Sequence, residues 1–253
     1  MFLTTARNHF NEDLDRGTAL VHHAGTLPVG TMRCDILRAA WMMAVGACDA
    51  YFCDAYGDLI ARTLRAKSLQ QAVSMPDRLN HLRVPVIAVL SGTHEGWRWR
   101  MAARELIEDE NVLSLEKIRK LFNHFFRTGH KILNQDTVET LILHADARSR
   151  FFGITPTEYR KLMTPAQKSA AKKDALARFE AHFENVFQRR HDCIHNCDRP
   201  KMALQPITDT KVEKIIQDIG FLVSRCHDAF RDEFPTYLEE LGFNAATRAQ
   251  VCQ

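Results

Sequence analysis

The chain has 253 residues, 45% hydrophobic and 26% charged, which is enough apolar material for one large or two small cores and excludes a disordered chain. A formal net charge of +3 permits an anionic partner without requiring one. Seven irregularly spaced cysteines include no C-x-x-C pair, and the charged start "MFLTTARNHFNEDLDRG" lacks an apolar signal region, so the expectation is a reduced, cytoplasmic protein.

Taken in chain order, almost every segment repeats at helical period. A first amphipathic helix is predicted over 4–23, ended by "AGTLPVG", and a second over 31–66. The middle of the second, "AAWMMAVGACDAYFC", is apolar on all faces, which predicts the buried central helix of a bundle. Its longest apolar run, Ala39 to Cys48, is too short to span a bilayer, so no membrane partner is expected. Asp49 and Asp54 interrupt that stretch and need partners if buried. Residues 68–112, with Pro76, Pro85, the β-like "RVPVIAVL" and "WRWR", read as an insertion between the halves of the bundle. Helices are then predicted over 114–127 and 135–151. Thr155-Pro156-Thr157-Glu158 and Thr164-Pro165-Ala166-Gln167 are capping boxes with proline at the first helical position. A last long helix is predicted from Thr208 or Asp209 to just before Phe234-Pro235.

The helix opened at Pro165 ends in "RRHDCIHNCDRP", residues 189–200. Leu176, Phe179, Phe183, Val186 and Ile194 mark its apolar stripe, and Arg190 lies about 20° from Phe183 on that wheel. A guanidinium in a core stripe snorkels from the last turn, pairs with an acid such as Asp49, or holds an anion. His195 falls in the final turn, where the helix C-terminus favours imidazolium, and an imidazole near neutrality suits proton transfer. His191, His195, Cys193 and Cys197 do not converge on one helix face, because Cys193 sits about 200° from His191, so no metal and no cofactor is expected.

"RRHDCIHN" resembles the Arg-x4-6-His motif of HEPN domains, here Arg190-x4-His195. Arg190, His191, Asp192, His195 and Asn196 match position by position the Arg-His-Asp-x-x-His-Asn form of its RiboL-PSP-HEPN branch, and "RCDILRAAWMMAVGACDAYFCD" resembles that branch's first core helix. The resemblance covers residues 31–234, leaving 1–30 and 68–112 unaccounted for. It implies an all-α, HEPN-like bundle of four to five core helices, about 31–67 and 113–234, with a helical insertion, forming one domain over 1–253. It implies a metal-independent endoribonuclease that is usually dimeric and acts as a toxin or antiviral effector on RNA such as tRNA, restrained by an antitoxin or sensor protein. The family also has members that bind RNA, nucleotides or protein partners without cutting.

That activity suits the residues. RNA carries its nucleophile, the 2′-OH, beside each phosphate, so cleavage needs only proton transfer and a cation for the developing charge. His195 fits the first task and Arg190 the second, with the second copy of each supplied across a two-fold interface. His191, Asp192, Asn196, Arg189 and Asp49 are supporting candidates, with capping the first reading of Asn196. Arg189, Lys172, Lys173 and Arg178 form a candidate basic approach, and Trp97 and Trp99 either stack bases or pack.

Overall fold

A helix of 39 residues, α2 (Thr31–Leu69), runs through the centre of the computed structural model, which describes residues 2–80, 103, 112–199 and 203–253. Before it lies α1 (Thr4–Gly25). After it come α3 (Asp77–Asn80), α4 (Leu115–Phe122) with a 3-10 turn over Asn123–Phe125, α5 (Val138–Ile142), α6 (Ser149–Phe152) and α7 (Pro156–Arg160). The long α8 (Pro165–His195) and α9 (Asp209–Glu240) and the short α10 (Ala245–Cys252) complete the chain. The fold is all-α, with no strand among the described residues. The β-like run 83–90 and Trp97, Arg98, Trp99 and Arg100 lie outside them.

The all-round apolar pattern of α2 has the expected consequence. It packs against α1, α4, α8, α9 and α10, and buries Trp41, Tyr51, Phe52 and Leu59. Its length and composition would allow it to cross a bilayer, yet 56% of that apolar window is covered within the protein. Residues before Thr31, unaccounted for by the HEPN resemblance, are part of the same core. Phe2, Leu3, Phe10 and Val21 are buried as α1 packs along α2 and α9. The acids of α2 are partnered: Asp49 accepts the Val112 N–H at 2.9 Å, Asp54 lies 3.5 Å from His9, and buried Asp58 accepts from Arg62 Nε and the Leu3 N–H.

Two aromatic groups set the long helices. Phe52, Phe122 and Phe230 join α2, α4 and α9, the last two stacked at 4.4 Å. Phe151, Phe152, Phe179, Phe183 and Phe221 fasten α8 to α6 and α9. Each fully buried phenyl ring is worth about 1.5–3 kcal/mol over an exposed one, so these groups hold the helix that carries the motif.

Both proline capping boxes form, at Thr155/Glu158 and Thr164/Gln167. Two expectations are corrected. The helix predicted over 135–151 is split into α5 and α6, because His144 Nδ1 accepts the Asp146 N–H at 3.0 Å and draws the backbone out of helical bonding. The last long helix does not stop before Phe234-Pro235 but continues to Glu240. Buried Phe234, Tyr237 and Leu238 flank the proline, and the carbonyl deprived of its partner belongs to Arg231, which is exposed to solvent.

Candidate functional site

At its C-terminal end α8 meets a return loop that decides which side chains are buried. Cys197 and Asp198 both take left-handed backbone angles, φ 47° and 57°, and the N–H groups of Asn196 and Asp198 both donate to the Asp192 carbonyl at 2.9 Å. Left-handed residues other than glycine cost roughly 1–2 kcal/mol each, so the turn needs compensation. Asp198 supplies it. Its carboxylate accepts from Arg38 Nε at 2.7 Å and from Arg189 Nη2 at 2.9 Å, and its carbonyl accepts the Gln205 N–H at 3.0 Å. Arg38 also donates to the Gln205 carbonyl and Arg189 to that of Pro206. Asp198, Gln205 and Pro206 are thereby clasped to α2 and α8.

Arg189 lies over the indole of Trp41 at 4.9 Å, and the Trp41 Nε1–H donates to the Val186 carbonyl. It is therefore a buried structural cation and not part of a basic approach for RNA. Asp192 and Asn196 are structural as well. Buried Asp192 accepts from Gln188 Nε2 at 3.0 Å and Asn196 Nδ2 at 3.4 Å, and Asn196 is the C-cap residue, as capping predicts. Lys172 and Lys173 lie near the opposite end of α8, about 25 Å from Arg190 along the axis, and Arg178 pairs with Asp174.

The apolar stripe that passes through Phe179 and Phe183 predicts burial of Arg190 and Ile194. Instead Ile194 is 46% exposed and Arg190 is half-buried, while Arg189 and Asp192 turn inward. The buried face rotates because the last turns of α8 pack on Arg38, Trp41 and the return loop.

Arg190 and His191 line a cleft of about 430 Å3 between α8 and the start of α4, together with Glu116, Arg119, Glu180 and Glu184. Glu180 is ion-paired with Arg119. Among the described residues no side chain bonds or ion-pairs with the Arg190 guanidinium, although its charge reaches Asp49. Burial raises the Asp49 carboxyl above its ordinary value, and the Val112 N–H, Arg190 and Lys117 offset part of that rise. Asp49 thus lies near Arg190 without a direct pair. His191 and His195 are exposed, one turn apart, with ring centroids 4.4 Å from each other. His191 thus lines the cleft beside Arg190 and has its ring close to that of His195, whereas Arg190 and His195, five residues apart, lie about 140° from each other around the helix.

The cysteines of the motif stand apart from that edge. Burial and the Asp198 carboxylate push the Cys193 thiol up to about 11, and Cys197 is exposed beyond the C-cap. Among the described residues no three His, Cys, Asp or Glu side chains gather as a metal-ligand set. The contribution of Arg38 and Asp198 has no sequence signal beyond an arginine in an apolar helix, since its partner lies 160 residues away. The chain matches no protein-family model, no curated protein and no solved structure.

Proposed function

We propose that this protein is an HEPN-type endoribonuclease that cuts RNA through its own 2′-OH without a metal. In this reading it works as a cytoplasmic homodimer, as a toxin or antiviral effector held in check by an antitoxin or sensor. The observation that supports it is the Arg190 guanidinium, without a bonded partner among the described residues, beside His191 in the cleft, with the His195 imidazole one turn beyond His191. One imidazole takes the 2′-OH proton as O2′ bonds to phosphorus. A protonated imidazole gives its proton to O5′ as the P–O5′ bond breaks, leaving a 2′,3′-cyclic phosphate and a 5′-hydroxyl. Arg190 offers a fork of N–H donors to the phosphorane-like oxygens. In a dimer, His195 of the two chains divides the base and acid roles, and the symmetry of the pair is broken by the RNA.

One observation favours a second reading, an HEPN module that binds without cutting. Nothing among the described residues hydrogen-bonds His195 to set its tautomer, and catalytic imidazoles are ordinarily oriented by such a partner. A single experiment separates the two: total cellular RNA incubated in excess EDTA with the wild type, Arg190→Ala and His195→Ala proteins. The ribonuclease reading expects fragments with cyclic phosphate ends, and a rate lower by about 10²-fold or more for His195→Ala. RNA binding without fragments selects the second reading. Activity lost in EDTA and restored by a divalent ion rejects the metal-free chemistry.

A further inference from the structure

We infer that the cleft beside Arg190 reads the base of the nucleotide whose phosphate is attacked, selecting bases that present N–H donors, guanine before the others. This rests on the ribonuclease reading above and adds to it the sequence preference of the cut.

Glu180, Glu184, Gln188, His191 and His195 follow one another at spacings of four, four, three and four along α8, so they form one row on one face. The row changes character along its length. Its outer end carries His191 and His195 with Arg190 beside them, all donors to an anion when charged. Its inner end carries acceptors. Glu184, and Glu116 across the cleft, have no hydrogen-bond or ion-pair partner among the described residues, whereas Glu180 is held by Arg119. Gln188 gives one Nε2 hydrogen to Asp192 at 3.0 Å, and its Oε1, with no partner among the described residues, can accept from a ligand.

With Glu180 neutralised by Arg119, the exposed Glu116 and Glu184 repel a polyanion from their end of the cleft, so a phosphate belongs at the Arg190 and His191 end and something rich in donors at the other. Glu184 and His191 are seven residues apart, about 10 Å along the axis, comparable to the reach from a nucleotide's phosphate to the far edge of its base. The volume of about 430 Å3 suits one nucleoside, and Leu113, Leu115 and Phe187 supply apolar wall. Guanine presents N1–H and N2–H side by side, a pair that one carboxylate accepts with both oxygens. Adenine and cytosine offer a single amino group. Uracil sets its one N–H between two carbonyl oxygens, which face the carboxylates unfavourably.

The test uses four DNA oligonucleotides, each with one ribonucleotide (G, A, C or U), and separately the binding of 3′-GMP and 3′-UMP. The expected result is that the G substrate is cut at least about tenfold faster than the U substrate, and that Glu184→Gln combined with Glu116→Gln brings the two within about threefold. Equal cutting of all four substrates overturns the base-reading inference and leaves the ribonuclease reading standing. So does a G preference that survives the double substitution. If nothing is cut but 3′-GMP binds more tightly than 3′-UMP, and the double substitution abolishes the difference, the base pocket is supported and the catalytic reading fails. No cutting with no discrimination between the nucleotides overturns both.

Discussion

Arg189 Nη2 donates to the Asp198 carboxylate at 2.9 Å with both side chains at most 5% exposed, and the adjacent Arg190 opens into the cleft. Arg38 reaches the same carboxylate and also pairs with the exposed Asp35 at 3.1 Å. Among the described residues Nε and Nη1 of Arg189 have no hydrogen-bond partner, and the guanidinium lies over the Trp41 ring. The cluster therefore ties Asp198, Gln205 and Pro206 to the end of α8 and to α2. Its removal has consequences different from removal of Arg190.

Asp198→Ala leaves Arg189 buried without a counter-charge and Arg38 with only the exposed Asp35, and should lower unfolding free energy by about 3–5 kcal/mol. Asp198→Asn keeps one acceptor oxygen and should lose less. Urea denaturation of the three proteins checks the order; a loss below about 1 kcal/mol for the alanine variant contradicts the clasp.

Arg189→Ala and Arg190→Ala should separate stability from function. The first removes a buried ion pair and a cation–π contact and should lower the melting temperature by several degrees. The second removes a side chain with no bonded partner among the described residues and should leave the melting temperature within about two degrees, while abolishing RNA cleavage if the proposed function holds. Equal melting shifts for the two variants would refute the division of roles.

His227 gives a pH dependence. Burial, and then the charges of Arg7 and Arg231, depress its pKa below the ordinary 6.5, with Asp228 opposing, and its Nδ1 meets the Tyr51 hydroxyl at 3.1 Å. The unfolded chain therefore binds a proton first as pH falls. Stability should be unaffected by this group above the unfolded value, decline as pH drops through 6.5, and level off below the depressed native value. Thermal melts of wild type and His227→Gln between these limits should converge at low pH relative to neutral pH. Parallel curves would show that this histidine does not carry the effect.

Pro235 removes one N–H from α9, whose residues continue to Glu240. Pro235→Ala restores a donor to the Arg231 carbonyl and should stabilise the protein by up to about 3 kcal/mol. The measurement is the denaturant midpoint, and a destabilised variant would mean that the surrounding helices have adapted to the ring.

Local chemistry made much of this fold legible in the sequence. The Thr155 and Thr164 boxes form from side chains that reach backbone groups three residues away, and the central position of α2 follows from apolar residues on every face. His191 and His195 were likewise recognisable as a pair, because four-residue spacing on a helix is a local property. The choice between Arg189 and Arg190 for the interior was not local. Helical phase favours Arg190, but burial depends on what covers the last turns, and that cover is Trp41, Arg38 and a loop returning through Asp198 and Gln205. The break at His144 and the passage of α9 through Pro235 were settled the same way, by a side chain capturing a backbone N–H and by buried neighbours outweighing one lost hydrogen bond. Periodicity records which residues share a face, whereas only the packed chain determines what that face meets.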